Sequence, residues 1–463
     1  MQVGLVKEKR REHDLDTWLV FIDLVKAFPS VPREGLYVVL KKFGVPPRLI
    51  ALIRRMHTGV TATIKVGKTE VVIPNDRGTK QGDTLAAELF KVYIHACCET
   101  FDEHVRPGDG LKFRTAAAGT EGTEGRGVKG ARVGLESDFE EFEMTDSLYA
   151  DDEADMFDTR ESLRAFLVAR KRHFGRFGMT MHLGRDGKAS KTEAVFVPGG
   201  KRSYDSGDTS PIEVDDGMVT FTREFKYLGG LVSSTGGHKP EIAARLEKAA
   251  AVFGSLRSCI FASRDVSARV KKKVYLSMVV TVLLYGSECW ALTVNDEERL
   301  NLFHRRCVRT MAGLSRWQQQ KKHVHDGELA EKLELETMKF YLRRRTLKWV
   351  GHVVRMDYDR LPRKLLFGWV NNGRPRGRPP TSLGQRIERL VDDALEVTEP
   401  IIRRKVNGKR GVGWVEFAQD RVGWRQLVNA GRKFGNEVAR GAKAAGGRWN
   451  PEEARGGGQN FSF

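Results

Sequence analysis

Acidic residues supply the first candidates for chemistry in this sequence, because carboxylates held close together can bind divalent cations. The dipeptide Asp-Asp occurs three times, at 151–152, 215–216 and 392–393, so the pair alone carries little information. The second and third pairs stand in polar or acidic surroundings, which favours solvated surface. Asp151 and Asp152 instead lie between LYA and the apolar pair Met156-Phe157, a pattern that predicts two short strands meeting at the acids. Taken alone, this pattern leaves a purely structural turn as an equal alternative.

A third carboxylate, Asp23, ends the apolar run WLVFID (18–23), which is typical of a buried strand. Carboxylates that converge on one sheet face repel each other unless divalent cations lie between them, and oxygen ligands select Mg²⁺ or Mn²⁺. Two such ions about 3.5–4 Å apart can activate an attacking hydroxyl and stabilise a leaving oxygen. The pattern therefore favours phosphoryl transfer on a polyanion.

The elements that must position these acids are mixed in the front half of the chain. Alternating β-branched and polar residues around Gly67-Lys68 predict a hairpin over 61–73. Pro32 and Pro46-Pro47 each open a predicted helix, and another is predicted from about Thr84 to Glu103. Gly-rich segments at 106–130 and 198–211 are predicted loops. From 239 to 349 the apolar spacing turns mostly helical, with amphipathic runs at 239–257, 266–284 and 296–312.

Composition narrows the class of partner. The 463 residues include 79 Lys/Arg and 60 Asp/Glu, a net charge of +19 that favours a polyanion, nucleic acid ahead of an anionic membrane. From Tyr341 onward there are 26 Lys/Arg and 12 Asp/Glu, so most of the excess lies there. No apolar stretch approaches the length of a membrane helix, and the five cysteines form neither a disulfide scaffold nor a zinc motif. We expect an intracellular, reducing location, with nucleus and cytoplasm both plausible and no membrane partner.

Several motifs together resemble the polymerase motifs of reverse transcriptases, most closely those of non-LTR (LINE-type) retrotransposons. In chain order they are FIDLVKAFPSV (21–31), GTKQGDTLAAELF (78–90), LYADD (148–152), Lys191-Thr192 and FKYLGGLVSS (225–234). Downstream, LLYGSECWALT (283–293), RRTLKWVGHVVRM (344–356), RPRGRP (374–379) and DRVGWRQLV (420–428) resemble the thumb and C-terminal region of such elements. Agreement in order over residues 15 to 430 makes the resemblance specific.

The resemblance implies roles for individual residues. It implies that Asp23 and Asp151 bind the metal pair, Mg²⁺ or Mn²⁺, with Asp152 beside them. It places Phe28 as an aromatic gate against a ribose 2′-hydroxyl. The remaining implied roles are contact with the incoming nucleotide for Gln81 and Gly82, neutralisation or protonation of the triphosphate for Lys191, and the primer grip for Tyr227, Leu228 and Gly229. Plain alternatives are a core Phe28, a solvated Lys191 and a helix-start Gly82.

Departures from the family pattern bear on activity. Pro29 replaces a common Asp, and Ala86-Ala87 replaces a common Ser-Pro, which predicts a looser second motif. Only about 17 residues precede the first catalytic strand, so we expect an element truncated at its N-terminus, without an endonuclease and with incomplete fingers. Weak or absent DNA synthesis is the corresponding expectation.

Basic residues interleaved with tryptophans predict a nucleic-acid-binding C-terminal region, partly disordered. The candidates are Arg343, Arg344, Arg345 and Lys348 in YLRRRTLK, and Arg376 and Arg378 in a stretch resembling an AT-hook. A small core containing the tryptophans, and a simple basic linker at 374–379, are the alternatives.

The sequence therefore predicts an α+β protein with a right-hand polymerase palm, an antiparallel sheet with packed helices, followed by a helical thumb. The predicted function is RNA-directed DNA polymerase, with an RNA template, a DNA primer, deoxynucleoside triphosphates and no small-molecule cofactor. A catalytically inactive nucleic-acid-binding remnant is the alternative. The predicted domains are palm with remnant fingers (1–105), insertion loop (106–143), second palm part (144–235), thumb (236–340) and basic region (341–463).

Overall fold

A six-stranded sheet forms the centre of the first of two compact units. The computed structural model describes residues 2–79, 83–108, 110–116, 139–185, 188–200, 202–370, 382–398, 402, 406 and 413–431. The first unit contains the described residues up to Gly236 together with 368–370, and the second contains the described residues from Gly237 to Phe367 and from 382 onward. No helix in these ranges is both long and apolar enough to cross a membrane.

The described residues of the first unit form twelve strands. Their bounds are β1 Thr17–Ile22, β2 Thr61–Val66, β3 Thr69–Pro74, β4 Leu111–Ala116, β5 Phe139–Met144, β6 Asp146–Tyr149, β7 Asp152–Phe157, β8 Glu193–Val197, β9 Ile212–Val214, β10 Gly217–Phe221, β11 Glu224–Tyr227 and β12 Gly230–Ser233. The central sheet has the order β6-β7-β1-β8-β10-β9 and is antiparallel except between β8 and β10. The pairs β2–β3, β4–β5 and β11–β12 form separate two-stranded sheets. An α+β architecture with a mainly antiparallel sheet is thus confirmed.

The described helices of the first unit are α1 Gln2–Glu12, α2 Ala27–Ser30, α3 Arg33–Lys42, α4 Pro47–His57, α5 Thr84–His104 and α6 Arg160–Arg176. Residues of α2 to α6 share one buried cluster on one face of the sheet. Trp18, Val20 and Ile22, alternate residues of β1, belong to the same buried cluster as residues of α5 and α6. The period of two along a strand therefore leaves Leu19, Phe21 and the residue after Ile22 on the opposite face.

Two elements differ from the sequence prediction. The predicted loop at 106–130 is wrong over Leu111–Ala116, which form β4 and pair with β5. Helix α1 was not predicted; its Arg10 is buried, donates hydrogen bonds to Thr17 and the Asp16 carbonyl, and pairs with Asp158 at 2.7 Å. Arg10 therefore connects helix α1 to the start of β1 and to the residue that follows β7.

The described elements of the second unit are helical, as the spacing predicts. The longer ones are Lys239–Ser255, Ala268–Val274, Val294–Met311, Met338–Val354, Leu383–Glu396 and Arg421–Asn429, and shorter helices are Thr281–Leu283, Arg316–Lys321, Asp326–Lys332, Leu361–Phe367 and Gly413–Phe417. Residues Tyr275–Val280 are wound as a π-helix that joins Ala268–Val274 to Thr281–Leu283. The predicted border between 340 and 341 falls inside Met338–Val354, so it does not separate compact units.

Candidate active site

Three acidic residues lie close together at the ends of two neighbouring strands, β1 and β7, of the central sheet. Strands β6 and β7 form a hairpin in which Tyr149 pairs with Asp152, so Ala150 and Asp151 are the two turn residues. On the other side of β7, Ile22 of β1 pairs with Glu153. One step further along both strands, this register sets Asp23 opposite Asp152. Residues directly opposite each other in an antiparallel pair have Cα atoms about 4.5–5.5 Å apart. The register therefore brings Asp23 beside the Asp151-Asp152 turn.

The turn itself has an uncommon backbone. Ala150 adopts a φ of 56°, in the left-handed region that non-glycine residues seldom occupy. Tyr149, just before it, is 67% exposed. The turn thus holds Asp151 and Asp152 at the end of a tight hairpin, where sequence analysis predicted them.

Besides partial burial, the charges of Asp151 and Asp23 affect the pKa of Asp152. Partial burial raises the pKa of Asp152, and the charges of Asp151 and then Asp23 raise the pKa further. A nearby cation would favour the ionised form of these carboxylates, which otherwise repel each other. Three carboxylates offer only oxygen donors, a set that suits hard divalent cations.

The side chains do not form a ready-made cage. Within the described ranges, no three His, Cys, Asp or Glu side chains stand close enough together to hold a metal ion as they are placed. The donor chemistry and the mutual repulsion at Asp152 fit a divalent cation, but the carboxylates would have to rotate toward each other to share one.

The backbone of Asp23 is held by a neighbouring segment. Its amide donates to the hydroxyl of Thr192 at 3.1 Å, and its carbonyl accepts from the amide of His182 at 2.8 Å. The amide of Lys191 in turn donates to His182 Nδ1 at 3.2 Å. Lys191, with an exposed side chain, therefore lies one residue from a direct contact of Asp23. Sequence analysis missed His182 because no local motif marks it.

The predicted primer-grip residues form a tight hairpin over the sheet face that carries Phe21. Leu228 and Gly229 connect β11 and β12 and have φ values of 46° and 79°. Phe21 stacks on Phe225 with ring centroids 4.2 Å apart and lies 5.2 Å from the ring of Tyr227. The hairpin thus packs on the same sheet face toward which Asp23 and Asp152 alternate.

Tyr227 also bonds to the acidic hairpin. Its hydroxyl donates to the Ser147 carbonyl at 2.7 Å and lies 3.4 Å from the Asp152 carbonyl. Burial raises the pKa of Tyr227 to about 12, so the phenol keeps its proton and remains a donor. This side chain therefore links the β11–β12 hairpin to both strands of the β6–β7 hairpin.

Phe28 is half-buried and follows Asp23 through a left-handed Lys26 and the short helix α2. Its ring stacks on Phe90 with centroids 4.4 Å apart, so it contributes to the core while keeping one part exposed. The amide of Thr79 donates to the Phe28 carbonyl at 3.0 Å, and a Cβ on Gly78 would lie 2.4 Å from Pro29 Cα. The chain leading to Gln81 and Gly82 is thus held against Phe28, while Gln81 and Gly82 themselves lie outside the described residues.

Two buried ion pairs lie behind the acidic turn. Glu153 pairs with Arg170 of α6 at 2.7 Å, and Asp155 with Arg106 at 3.1 Å. Burial raises the pKa values of both carboxyls. Burial is also the largest single influence on Arg170 and lowers its pKa, but Glu153 and the neighbouring Cys98, Asp155 and Cys97 together raise that pKa well above its ordinary value. These pairs face the helices and connect β7 to them. Sequence analysis missed them because two acids within a strand look like surface residues.

The other acidic pair of the first unit is a surface feature. Asp215 and Asp216 form ion pairs with Lys171, Arg172 and Arg185. Four ion pairs with three basic residues thus neutralise this Asp-Asp pair, which agrees with the solvated surface that the sequence analysis favours.

The basic candidates in YLRRRTLK do not share one environment. Arg343 is only 7% exposed and donates to the carbonyls of Asp393 and Ala430, so we do not retain it as a nucleic-acid contact. Arg345 pairs with Glu288 at 3.2 Å, while Arg344 and Lys348 are exposed. Trp424 is buried and donates to the Leu347 carbonyl, which agrees with the small-core alternative for this tryptophan. Arg376 and Arg378 lie outside the described residues.

Comparison with known proteins bears on this site. The profile of the family described as reverse transcriptase (RNA-dependent DNA polymerase) matches residues 2–230, which include all three acids. A transposon-derived protein of Caenorhabditis elegans is 26% identical over 227 residues, 49% of this chain and 75% of that protein. The retrovirus-related Pol polyprotein from a type-2 retrotransposable element of Drosophila melanogaster is 25% identical over 118 residues, 25% of this chain and 11% of the polyprotein.

Proposed function

Because the chain belongs to the reverse transcriptase family through residues 2–230, and its relatives are transposon-derived, we propose that Asp23, Asp151 and Asp152 form its polymerase active site. The family is that of RNA-directed DNA polymerases, and the resemblance to non-LTR retrotransposon enzymes is confirmed. The observation that carries the proposal is the strand register, which sets Asp23 next to the Asp151-Asp152 turn. The raised pKa of Asp152, to which the charges of Asp151 and Asp23 contribute after burial, agrees with this arrangement.

In this proposal the three carboxylates hold Mg²⁺ or Mn²⁺. When bound, the ions would favour ionisation of the primer 3′-hydroxyl and offset negative charge on the departing pyrophosphate. Asp23 and Asp152 present oxygen ligands from two adjacent strands, and Asp151 adds a third from the turn. The buried pairs of Glu153 and Asp155 keep β7 fixed against the helices, which limits how far the turn can move.

The surrounding residues take the roles that the resemblance implies. Lys191 offers a charge to the triphosphate beside the strand end of Asp23, and Gln81 and Gly82 approach the nucleotide after the segment held by Phe28. Phe28 selects against a ribose 2′-hydroxyl with the exposed part of its ring. The Tyr227-Leu228-Gly229 hairpin supports the primer end, because its aromatic residues pack over the sheet face of the acids.

At a larger scale, we assign the first unit as the palm and the helical second unit as the thumb with its C-terminal extension. The partners in this assignment are an RNA template, a DNA primer and deoxynucleoside triphosphates. Arg344 and Lys348, both exposed, and Arg376 and Arg378 are the proposed phosphate contacts of the C-terminal region. Guanidinium and ammonium groups there would bind the backbone without reading sequence.

Primer extension on poly(rA)/oligo(dT) with Mg²⁺ or Mn²⁺ tests the proposal. The sequence analysis predicts weak or absent extension, whereas the arrangement of the acids leads us to expect measurable extension. We expect Asp151→Ala or Asp23→Ala to abolish it without weakening RNA binding. Asp215→Ala is the matched control, because it removes an acid from the surface Asp-Asp pair and should leave synthesis unchanged.

The alternative is a nucleic-acid-binding protein without polymerase activity. It predicts RNA binding but no extension with either metal, and it would also predict that Asp151→Ala has no measurable consequence. Equal loss of synthesis in Asp215→Ala and Asp151→Ala would remove the specific role assigned to the turn.

A further inference from the structure

A basic cavity of about 510 Å³ lies within the second unit, between the helix Val294–Met311 and the segment that begins with Arg316–Lys321. Its charged lining consists of Arg305, Arg306, Arg309 and Arg316 with one acidic residue, Asp326. Two histidines, His323 and His325, complete the polar wall. The cavity therefore carries a clear excess of positive charge.

The arginines owe their position to helical spacing. Leu302, Arg305, Arg306 and Arg309 recur at the interval that places residues on one helix face. Residues of the opposite face, including Leu300, Cys307 and Val308, are buried in the core of the unit. Core packing thus fixes the helix so that its arginines must point toward the cavity.

The acid in the cavity neutralises only part of this charge. Asp326 accepts from Gln319 at 2.8 Å and from Arg309 at 3.3 Å, and its second oxygen lies 3.8 Å from Arg305. Arg305 also pairs with Glu298. Arg306 and Arg316 are exposed, and no described acidic residue forms an ion pair with either. Two guanidinium groups therefore remain available to an anion, and their planar forks match phosphate oxygens.

An aromatic side chain stands next to this charge. Trp317 follows Arg316 and is 66% exposed, an unusual state for the largest apolar side chain. The ammonium of Lys321 lies 4.9 Å from its ring centroid. Trp317 does not itself line the cavity, but it directly follows Arg316, which does. An exposed ring next in sequence to an exposed arginine is a combination with which proteins hold single strands, where bases are free to stack.

We infer that this cavity binds single-stranded RNA, with Arg306 and Arg316 on successive phosphates and Trp317 stacked on a base. A flexible strand can follow a concave wall, whereas a duplex keeps its bases paired and out of reach of Trp317. The inference rests on the proposed function only in taking nucleic acid as the partner of the chain. It adds a binding site in the helical unit that is separate from the acidic turn.

Fluorescence anisotropy of the full chain with a labelled oligouridylate of about 15 nucleotides tests the inference. We expect Arg306→Ala/Arg316→Ala to weaken binding about tenfold and to reduce the slope of log K against log [KCl] by about 1.4, as expected for two lost contacts to a single strand. Trp317→Ala should also weaken binding about tenfold but leave the slope unchanged, and Trp317→Phe should restore most of the affinity.

The matched control is Arg264→Ala/Arg269→Ala, which removes two exposed arginines of the same unit that do not line the cavity. It should leave affinity and slope nearly unchanged. An equal effect in this control would mean that only total charge matters and would overturn the inference. Equal weakening toward an RNA duplex of similar length would overturn the single-strand assignment.

Primer extension is scored separately on the same proteins. Absent extension together with loss of oligouridylate binding in Arg306→Ala/Arg316→Ala would contradict the proposed function and support the cavity. Extension that depends on Asp151, with unaltered binding in the cavity variants, would do the reverse.

Discussion

At the scale of single residues, the catalytic role proposed for Asp152 conflicts with its contribution to stability. A carboxyl whose pKa is raised in the folded protein binds its proton more tightly there than in the unfolded chain. Folding is therefore favoured by protonation, and this contribution is lost as the pH rises through the folded pKa. Above the folded pKa, where Asp152 is ionised, its charge opposes folding.

Asp152→Asn should accordingly raise the melting temperature at neutral pH, by no more than about 2 °C because Asp152 is exposed and its charge is screened. The gain should vanish in acid, where Asp152 is protonated as well. Adding Mn²⁺ should stabilise the wild-type protein more than the variant. Differential scanning fluorimetry measures both, and equal stabilisation of the two proteins by Mn²⁺ would contradict a metal role for Asp152.

Tyr227 is the residue through which the two hairpins are joined. Tyr227→Phe removes the hydroxyl bond to the Ser147 carbonyl, which should cost about 1 kcal/mol in the free energy of unfolding. If the acidic turn is the active site, the rate of primer extension should fall while nucleotide affinity changes little. Tyr93→Phe, which removes a comparable hydroxyl bond to the Phe177 carbonyl, is the control and should lower stability by a similar amount without changing the rate. A stability loss without any change in rate would limit Tyr227 to a structural role.

At the scale of elements, the position of strand β7 depends on two buried ion pairs, Glu153–Arg170 and Asp155–Arg106. Its first residue, Asp152, belongs to the acidic group at the strand end, whereas Glu153 and Asp155 lie on the helical face and pair with Arg170 and Arg106. A buried pair contributes little over an apolar pair of the same shape, but removing one partner leaves a buried charge. The strand that carries the turn is therefore sensitive to substitutions far from the turn.

Arg170→Met should destabilise the protein by about 3–5 kcal/mol, because it leaves Glu153 without its partner. Adding Glu153→Gln should recover part of the loss. Arg172→Met is the matched control on the same helix, since Arg172 forms an exposed pair with Asp215, and it should change stability little. Urea unfolding compares the variants, and equal destabilisation by the two arginine replacements would rule out the buried pair as the cause.

Local sequence predicted the elements whose signals are contained within a few residues. The hairpin at Thr61–Val66 and Thr69–Pro74 has Gly67 in its turn at a φ of 62°. Helix α5 begins at Thr84, and the carboxylate of the preceding Asp83 caps it by accepting from the Leu85 amide. The acidic hairpin was also predicted, because apolar residues flank its turn on both sides. These are cases where turn chemistry and spacing agree with the final fold.

Elements stabilised by distant partners were not predictable in the same way. Strand β4 lies in a Gly- and Thr-rich stretch and exists through pairing with β5, whose first residue is more than twenty positions further along. Arg343 has the sequence context of a solvated basic helix, but carbonyls from Asp393 and Ala430 enclose it. His182 acts on Asp23 across more than 150 residues, and no local pattern carries that information.

At the scale of the whole molecule, the helical unit contains its own acid-sensitive group. His304 is buried, and its Nδ1 lies 2.8 Å from the hydroxyl of Tyr275. Burial lowers the pKa of His304 to about 4. Since the folded state favours the neutral ring, its contribution to stability is complete above the ordinary pKa of about 6.5 and is lost as the pH falls toward 4.

We therefore expect unfolding of the second unit to become easier between about pH 6.5 and pH 4, with a loss of up to about 3 kcal/mol from this residue. His304→Gln should flatten the dependence of stability on pH in that window, whatever its effect on stability at neutral pH. His325→Gln, at an exposed histidine of the same unit, should leave the dependence unchanged. Urea titrations at several pH values provide the measurement, and an unaltered slope in His304→Gln would refute this origin.

The π-helical stretch at Tyr275–Val280 bears on how this region can vary in length. Each of its hydrogen bonds spans one more residue than an α-helical bond, so the stretch stores an additional amino acid between two regular segments. Tyr275 and Val279 are buried, whereas Met278 bulges into solvent. Deletion of one residue here can convert the wide turn to ordinary winding while both flanking segments keep their rotational phase. Alignments of relatives should accordingly place single-residue gaps at this position and avoid them in the neighbouring turns.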